Sequence, residues 1–219
     1  MRAVPPKIVK EIQKDIANTI TELRTNHLLR DETGITITPQ VGSAWNISYS
    51  TKNDSGSIIY DNNINYSRLI NELLYNRQYT ILFYDMGFIQ AEFYVRGNRI
   101  VKERLLFIKK HNVVWNRDEI NNWEVNDEPW FENENGIPIV FRVDYDPDNF
   151  EEMVHPNTHF TLSNYESCRI PIKGVVTFSE FVKFVMKNFY ETDINVPLYR
   201  NTEETISVNE KKLIHFNWD

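Results

Sequence analysis

Between Pro6 and about Leu23 the apolar residues Ile8, Val9, Ile12, Ile16, Ile20 and Leu23 recur every three or four positions, which places them along one side of a helix. Pro6 suits the start of that helix, because its missing N–H would have had no intrahelical partner there. Such a helix either lies on a sheet or binds a partner chain. From Gly34 to Tyr60 the period changes to two: ITITPQ and WNISYS read as short strands, Trp45 takes a core position, and NDSG at Asn53 to Gly56 reads as a turn. A second helix is expected from about Asn65 to Asn76, with Tyr66, Leu69, Ile70, Leu73 and Leu74 on one face. YTILFYD, FIQAEFYVR and RIVKERLLFIKK then follow one another across short glycine-containing turns, which predicts an antiparallel meander.

Alternation returns in IPIVFRVDYD, Ile137 to Asp146, where Ile139, Phe141, Val143 and Tyr145 share one side and Val140, Arg142, Asp144 and Asp146 the other. TFSE at Thr177 to Glu180 fits a capping box, and Phe178, Phe181, Val182, Val185 and Phe189 follow at helical spacing to a helix end near Tyr190. The sum is an α+β fold, an antiparallel meander packed by N-terminal, middle and C-terminal helices. We read it as a single domain over 1–219, with 115–136 as an ordered acidic, aromatic-rich excursion and 191–219 as an irregular C-terminal extension. The terminal KKLIHFNWD is a candidate last strand.

Composition narrows the class. Hydrophobic residues form 41% of the 219 positions, enough for a core, and nine prolines with seven glycines are too few for long linkers. The formal charge of −7 argues against indiscriminate coating of nucleic acid, which runs on phosphate neutralisation. Against that background Arg96, Arg99, Lys102, Arg104, Lys109 and Lys110, with Arg117 beyond, suggest one basic face or edge of the sheet. That face is either solvated or a surface for RNA. From Asp118 to Glu152 the balance reverses, with Arg142 the single basic residue. The lone Cys168 can form no internal disulfide and reads as a small core residue, which fits a cytoplasmic protein. The charged run after Pro6 leaves no signal-peptide core, and no apolar run reaches membrane-spanning length, so no membrane partner is expected.

The chemistry gathers between Phe141 and Tyr190. Arg142 and Asp144, two apart on a strand, form either a surface ion pair or a polar constellation in which the guanidinium meets an anion and the carboxylate orients a histidine. His155 and His159 lie four apart in VHPNTHF, but Pro156 favours a turn entering a strand, so helical zinc-site spacing does not apply. A metal would need Asp144 or Asp146 as a third ligand, and no metal or other cofactor is expected. The pair serves either as acid and base or as hydrogen-bonded structural residues. Arg169, in CRIPIKGVV, snorkels or pairs with a buried carboxylate, Asp144 first.

YTILFYDMGFIQAEFYV, ERLLFIKK, FRVDYD and HPNTHFTLSNYESCRIPIKGVVTFSEFVKFVMKNFY together resemble a bacterial family known as domain of unknown function 2290, over roughly residues 79–190. The resemblance marks Asp85, Arg104, Arg142, Asp144, His155, His159, Cys168, Arg169 and Pro171. The chain departs from the family pattern at Met86, where glycine is usual, and at Phe160, where an aliphatic residue is. More distantly, the turn aspartate, strand pair, Arg-x-Asp and histidine–proline motif are similar to TumE-like toxins. The resemblance implies an accessory or effector subunit of a bacterial defence or toxin–antitoxin system, acting through a protein partner encoded nearby. The alternative it implies is a small metal-independent ribonuclease-like toxin, with His155, His159 and Asp144 catalytic and Arg142, Arg169 and Arg104 on the substrate phosphate.

Overall fold

The computed structural model describes residues 4–49, 66–110, 138–162, 168–197 and 204–212. Helix α1 spans Lys7–Thr25, directly after an extended Pro6, and buries Val9, Ile12, Ile16, Ile20 and Leu23, the stripe that the three-to-four spacing predicts. Strands β1 (Leu29–Glu32), β2 (Ile35–Gln40) and β3 (Ala44–Tyr49) follow, then α2 (Tyr66–Tyr75) and the meander β4 (Ile81–Phe83), β5 (Phe88–Arg96) and β6 (Arg99–Lys110). The chain continues through β7 (Pro138–Tyr145), β8 (Thr158–Leu162), β9 (Arg169–Pro171) and α3 (Phe178–Phe189).

All pairings are antiparallel, in the order β1-β4-β5-β6-β7-β8-β9. The β2–β3 hairpin joins alongside β4, on the C-terminal half of β5, through Ala44↔Arg96 to Ser48↔Glu92. Strand alternation gives the sheet two unlike faces. On one, Phe83, Ile89, Phe93, Leu105, Phe107, Phe141, Val143 and Phe160 pack with the buried sides of α1 and α3. Phe141 is its hub, with ring centroids 5.2 Å from Phe107, 5.3 Å from the partly buried Phe189 and 5.5 Å from Phe181; the fully buried Phe107, Phe141 and Phe181 contribute about 2–3 kcal/mol each. On the other, α2 lays Leu73 over Leu82, Phe88, Leu106, Ile108 and Val140, and beyond that cluster the face turns polar.

Helix α3 opens with the predicted capping box: Glu180 N–H donates to Thr177 Oγ1, and Thr177 N–H donates to Glu180 Oε2 at 2.8 Å. Asp15 of α1 adds a second cap, its Oδ2 accepting from Ser179 N–H at 3.1 Å, so the two helices are tied at that N-terminus.

Several local expectations need correction. LRDE is a strand, β1, although nothing in its polar composition suggests one; it is made by pairing with β4. The β2–β3 turn is Val41–Ser43, with Gly42 and Ser43 at positive φ; of the strand expected in KKLIHFNWD, Lys211 and Lys212 lie in a 3-10 turn, and its remainder, NDSG and the excursion at 115–136 lie outside the described residues. Met86 sits at φ 64, the left-handed conformation that explains a usual glycine after the turn aspartate; methionine there carries roughly 1 kcal/mol of strain. Of the C-terminal extension, the described residues 191–197 and 204–212 put Ile194 and Val196 in the core and bury Glu210. Cys168 is half-buried rather than a core residue.

Lys109 is not part of a basic surface. Strand β6 lies between β5 and β7, so it is no edge, and its alternation sends Lys109 to the helix-covered face, 6% exposed. There Lys109 Nζ lies 2.6 Å from Asp85 Oδ2 and 4.1 Å from the centre of the Tyr190 ring. Asp85 Oδ1 in turn accepts from Tyr190 Oη–H and Gly87 N–H, each at 2.9 Å. Burial first, and Asp85 second, push the Tyr190 hydroxyl well above its usual pKa, so it stays a donor. Gly87 is required by close approach: a Cβ there would lie 2.5 Å from Tyr190 Oη.

Candidate functional site

Register turns local alternation into a row of charge across the open part of the second face. Ser48 is opposite Glu92, Glu92 opposite Arg104, Arg104 opposite Asp144, Asp144 opposite His159, and His159 opposite Pro171. The next row runs Leu106, Arg142, Thr161, Arg169. Directly opposed residues in an antiparallel pair point to the same side about 5 Å apart, so six strands, β3 and β5 to β9, set these side chains along one face.

Asp144 is the centre. Its Oδ1 accepts from Arg104 Nε–H at 3.2 Å, and its Oδ2 accepts from Arg142 Nε–H. The His159 Nε2 stands 3.9 Å from Oδ2, too far for a hydrogen bond. The carboxylate is 9% exposed and the His159 side chain 2%, whereas Arg104 and Arg142 keep 26% and 16%. The His159 Nδ1 lies 2.9 Å from the Pro156 carbonyl oxygen, which only an N–H can satisfy, so the ring is the Nδ1–H tautomer with Nε2 as acceptor when neutral. Its pKa is lowered, chiefly by burial, with the charges of His155 and Arg169 adding to the effect and the Pro156 carbonyl and Asp144 opposing it. His155 stands edge-on to it, ring centroids 4.8 Å apart, with its Nδ1 buried and without a partner among the described residues.

Around this centre, burial pushes the Glu92 carboxyl up, against the pull of Arg104 and Lys102 and with Asp144 assisting. Burial also raises Asp146, but the Asn149 amide at 3.0 Å and Lys102 Nζ at 3.1 Å outweigh it and hold that carboxyl below its usual value. The chain leaves β7 at Asp146 and returns at Asn157, whose carbonyl accepts from Asp146 N–H at 2.8 Å. The cluster is therefore the base of the loop at 146–157.

Arg104, Arg142, Asp144, His155, His159 and Arg169 thus meet on one face. The expected Arg142–Asp144 pair is present and Arg104 shares the carboxylate, but the expected Arg169–Asp144 pairing is not made, since Arg169 lies a row away opposite Thr161. The basic track also divides, with Arg96 and Arg99 exposed at the β5–β6 hairpin, Lys102 on Asp146, Arg104 in the cluster and Lys109 on the far face; the Lys110 side chain and Arg117 lie outside the described residues. Asp85 serves the buried pair instead. Glu92 and Thr161 were missed, although each alternates with polar neighbours, Gln90 and His159, in its strand. Among the described residues no three His, Cys, Asp or Glu side chains are placed to hold a metal ion, and no helix is long and apolar enough to cross a membrane.

The model of one family, an uncharacterized conserved protein (DUF2290), matches residues 28–218, well beyond the segment that carries the motifs. That match does not extend to the TumE-like toxins. No curated protein and no solved structure matches the chain.

Proposed function

The chain belongs to the DUF2290 family, and from that membership we propose that it is an accessory or effector subunit of a bacterial defence or toxin–antitoxin system that works by binding a protein partner. One observation carries the reading: the loop built on the polar cluster holds its apolar side chains outward. Phe150, Met153 and Val154 are 41%, 49% and 58% exposed, and Val208 is exposed on the adjoining turn. Asp148, Glu151 and Glu152 rim them, all exposed.

The loop is held in shape rather than left to order on contact. Glu151 and His155 exchange both backbone hydrogen bonds, at 3.0 and 2.7 Å, and Met153 N–H reaches Glu210 Oε1 at 3.4 Å. Preorganisation of this kind lowers the entropy cost of docking. An apolar centre with an acidic rim fits a partner segment that presents apolar side chains flanked by lysine or arginine. In this reading Asp144, its two arginines and the sealed His159 are a clasp that fixes the loop's base.

The test is co-expression with the product of the adjacent gene. The wild-type chain retains that partner on purification, and M153E/V154E, two exposed changes, weakens retention at least tenfold, as expected for residues at the centre of an interface. Retention equal to wild type overturns the reading. A second reading, the metal-independent ribonuclease-like toxin, draws support from the convergence of His155, His159, Arg104 and Arg142 on Asp144. Its test is cleavage of single-stranded RNA in chelator: turnover that is lost in H155A would favour it over the clasp.

A further inference from the structure

We infer that the Arg142–Thr161–Arg169 row is a binding site for a single phosphate group. The inference deepens the second reading, which also puts Arg142 and Arg169 on a phosphate, but it needs no reacting histidine, so phosphate binding without RNA cleavage would leave it standing while that reading fails.

Thr161 is 2% exposed, and its Oγ1 is buried with no hydrogen-bond partner among the described residues. Buried hydroxyls are normally paired, and one left unsatisfied costs about 1–3 kcal/mol, so an orphan in a native sheet calls for a reason. Its flanks supply one. Thr161 is opposite Arg142 on β7 and opposite Arg169 on β9, with strands about 4.8 Å apart, so two guanidinium-bearing side chains straddle one hydroxyl. Arg169 is half-buried, and Arg142, 16% exposed, already gives its Nε–H to Asp144 Oδ2, so an anion here would sit beside the clasp and not replace it.

The electrostatics on this face favour an anion. Arg104 and Arg142 hold Asp144, Arg169 adds a third guanidinium a row away, and burial pushes the Glu92 carboxyl up. Arg169 is close enough to His159 to help hold that ring neutral, so the histidine adds no competing charge. A phosphate oxygen would accept from Thr161 Oγ1–H while the Arg169 fork takes further oxygens, the planar geometry arginine offers and lysine does not, and Arg142 adds its charge from the opposite flank while still on Asp144. A carboxylate could satisfy the hydroxyl and one fork but not both flanks. The phosphate can come from a free ion, a nucleotide or an RNA backbone, which share this chemistry.

The experiment is equilibrium binding at constant ionic strength of inorganic phosphate, adenosine monophosphate and a short single-stranded oligoribonucleotide to the full chain, followed by thermal shift and calorimetry. T161V removes the orphan hydroxyl with little change of shape and is expected to fold at least as stably as wild type; R169Q removes one fork. Saturable binding that T161V weakens about tenfold and R169Q abolishes supports the site, and the tightest of the three ligands identifies its source. If none of the three binds, or if both variants bind as wild type does, the inference is wrong. Partner retention in T161V stays at the wild-type level, which separates failure here from failure of the docking loop.

Discussion

Replacing Asp144 by asparagine tests whether the polar cluster is a clasp. The amide keeps the shape of the side chain but removes the charge that Arg104 and Arg142 share. Two charge-assisted hydrogen bonds are at stake, one of 3.2 Å from Arg104 Nε and one from Arg142 Nε. Each contributes about 1.5–3 kcal/mol, a gross loss of roughly 3–6 kcal/mol. Part is recovered because Arg104 and Arg142, at 26% and 16% exposure, turn toward water, and because the oxygen of the introduced amide still accepts one bond. A net loss of about 3 kcal/mol remains, equivalent to a fall in Tm of about 6–12 °C for a chain of this size. Thermal and urea unfolding followed by circular dichroism would measure it. The opposite outcome is informative: groups strained for catalysis often destabilise the fold that holds them. A D144N protein as stable as wild type, or more stable, would refute the clasp and shift weight to the acid–base reading.

Three further outcomes follow from buried groups. Lys109→Met strands Asp85 at 3% exposure with two hydrogen bonds but no counter-ion, and should cost about 3–5 kcal/mol in urea unfolding; D85N/K109M should recover much of that, and a double variant no better than the single would contradict the pairing. Glu103, 1% exposed with Oε1 accepting from Val176 N–H at 3.2 Å, has its carboxyl pushed well above 4.5 by burial. A raised carboxyl contributes stability that is present in full below the unfolded value and lost as pH rises through the folded one. E103Q should therefore gain on wild type as pH rises above about 4.5, by up to about 1.4 kcal/mol per unit, and a pH-independent difference would exclude this. His159 works in the opposite sense: its lowered pKa contributes stability present above about 6.5 and lost on acidification, so H159Q should show a flatter fall in Tm below pH 6.5.

The helices and the meander were legible because their signals are local. The stripe from Val9 to Leu23 and the capping box Thr177–Glu180 need only a few neighbouring residues to be recognised, and both stand as read. Strand β1 was not legible, because Leu29 followed by three charged residues becomes a strand only when β4 offers its edge. The candidate residues can be found as chemical types at suggestive spacings, yet their partners cannot. Proximity in sequence pairs Asp144 with Arg142, as found, but not with Arg104, which lies forty positions earlier and directly opposite it.

Alternation along a strand determines by itself that Arg142 and Asp144 share a side, that His159 and Thr161 share a side, and that Phe141 and Val143 face away from both. It does not determine which strand lies beside which, or in what register. Those choices are made by long-range pairing and by the burial of Phe141 among the rings of α3, energies spread over residues far apart in sequence. Only the tertiary structure could send Lys109 beneath a helix, place Glu92 beside Arg104, leave the Thr161 hydroxyl between two arginines, and turn the acidic run after Asp144 into a loop standing on a charged base.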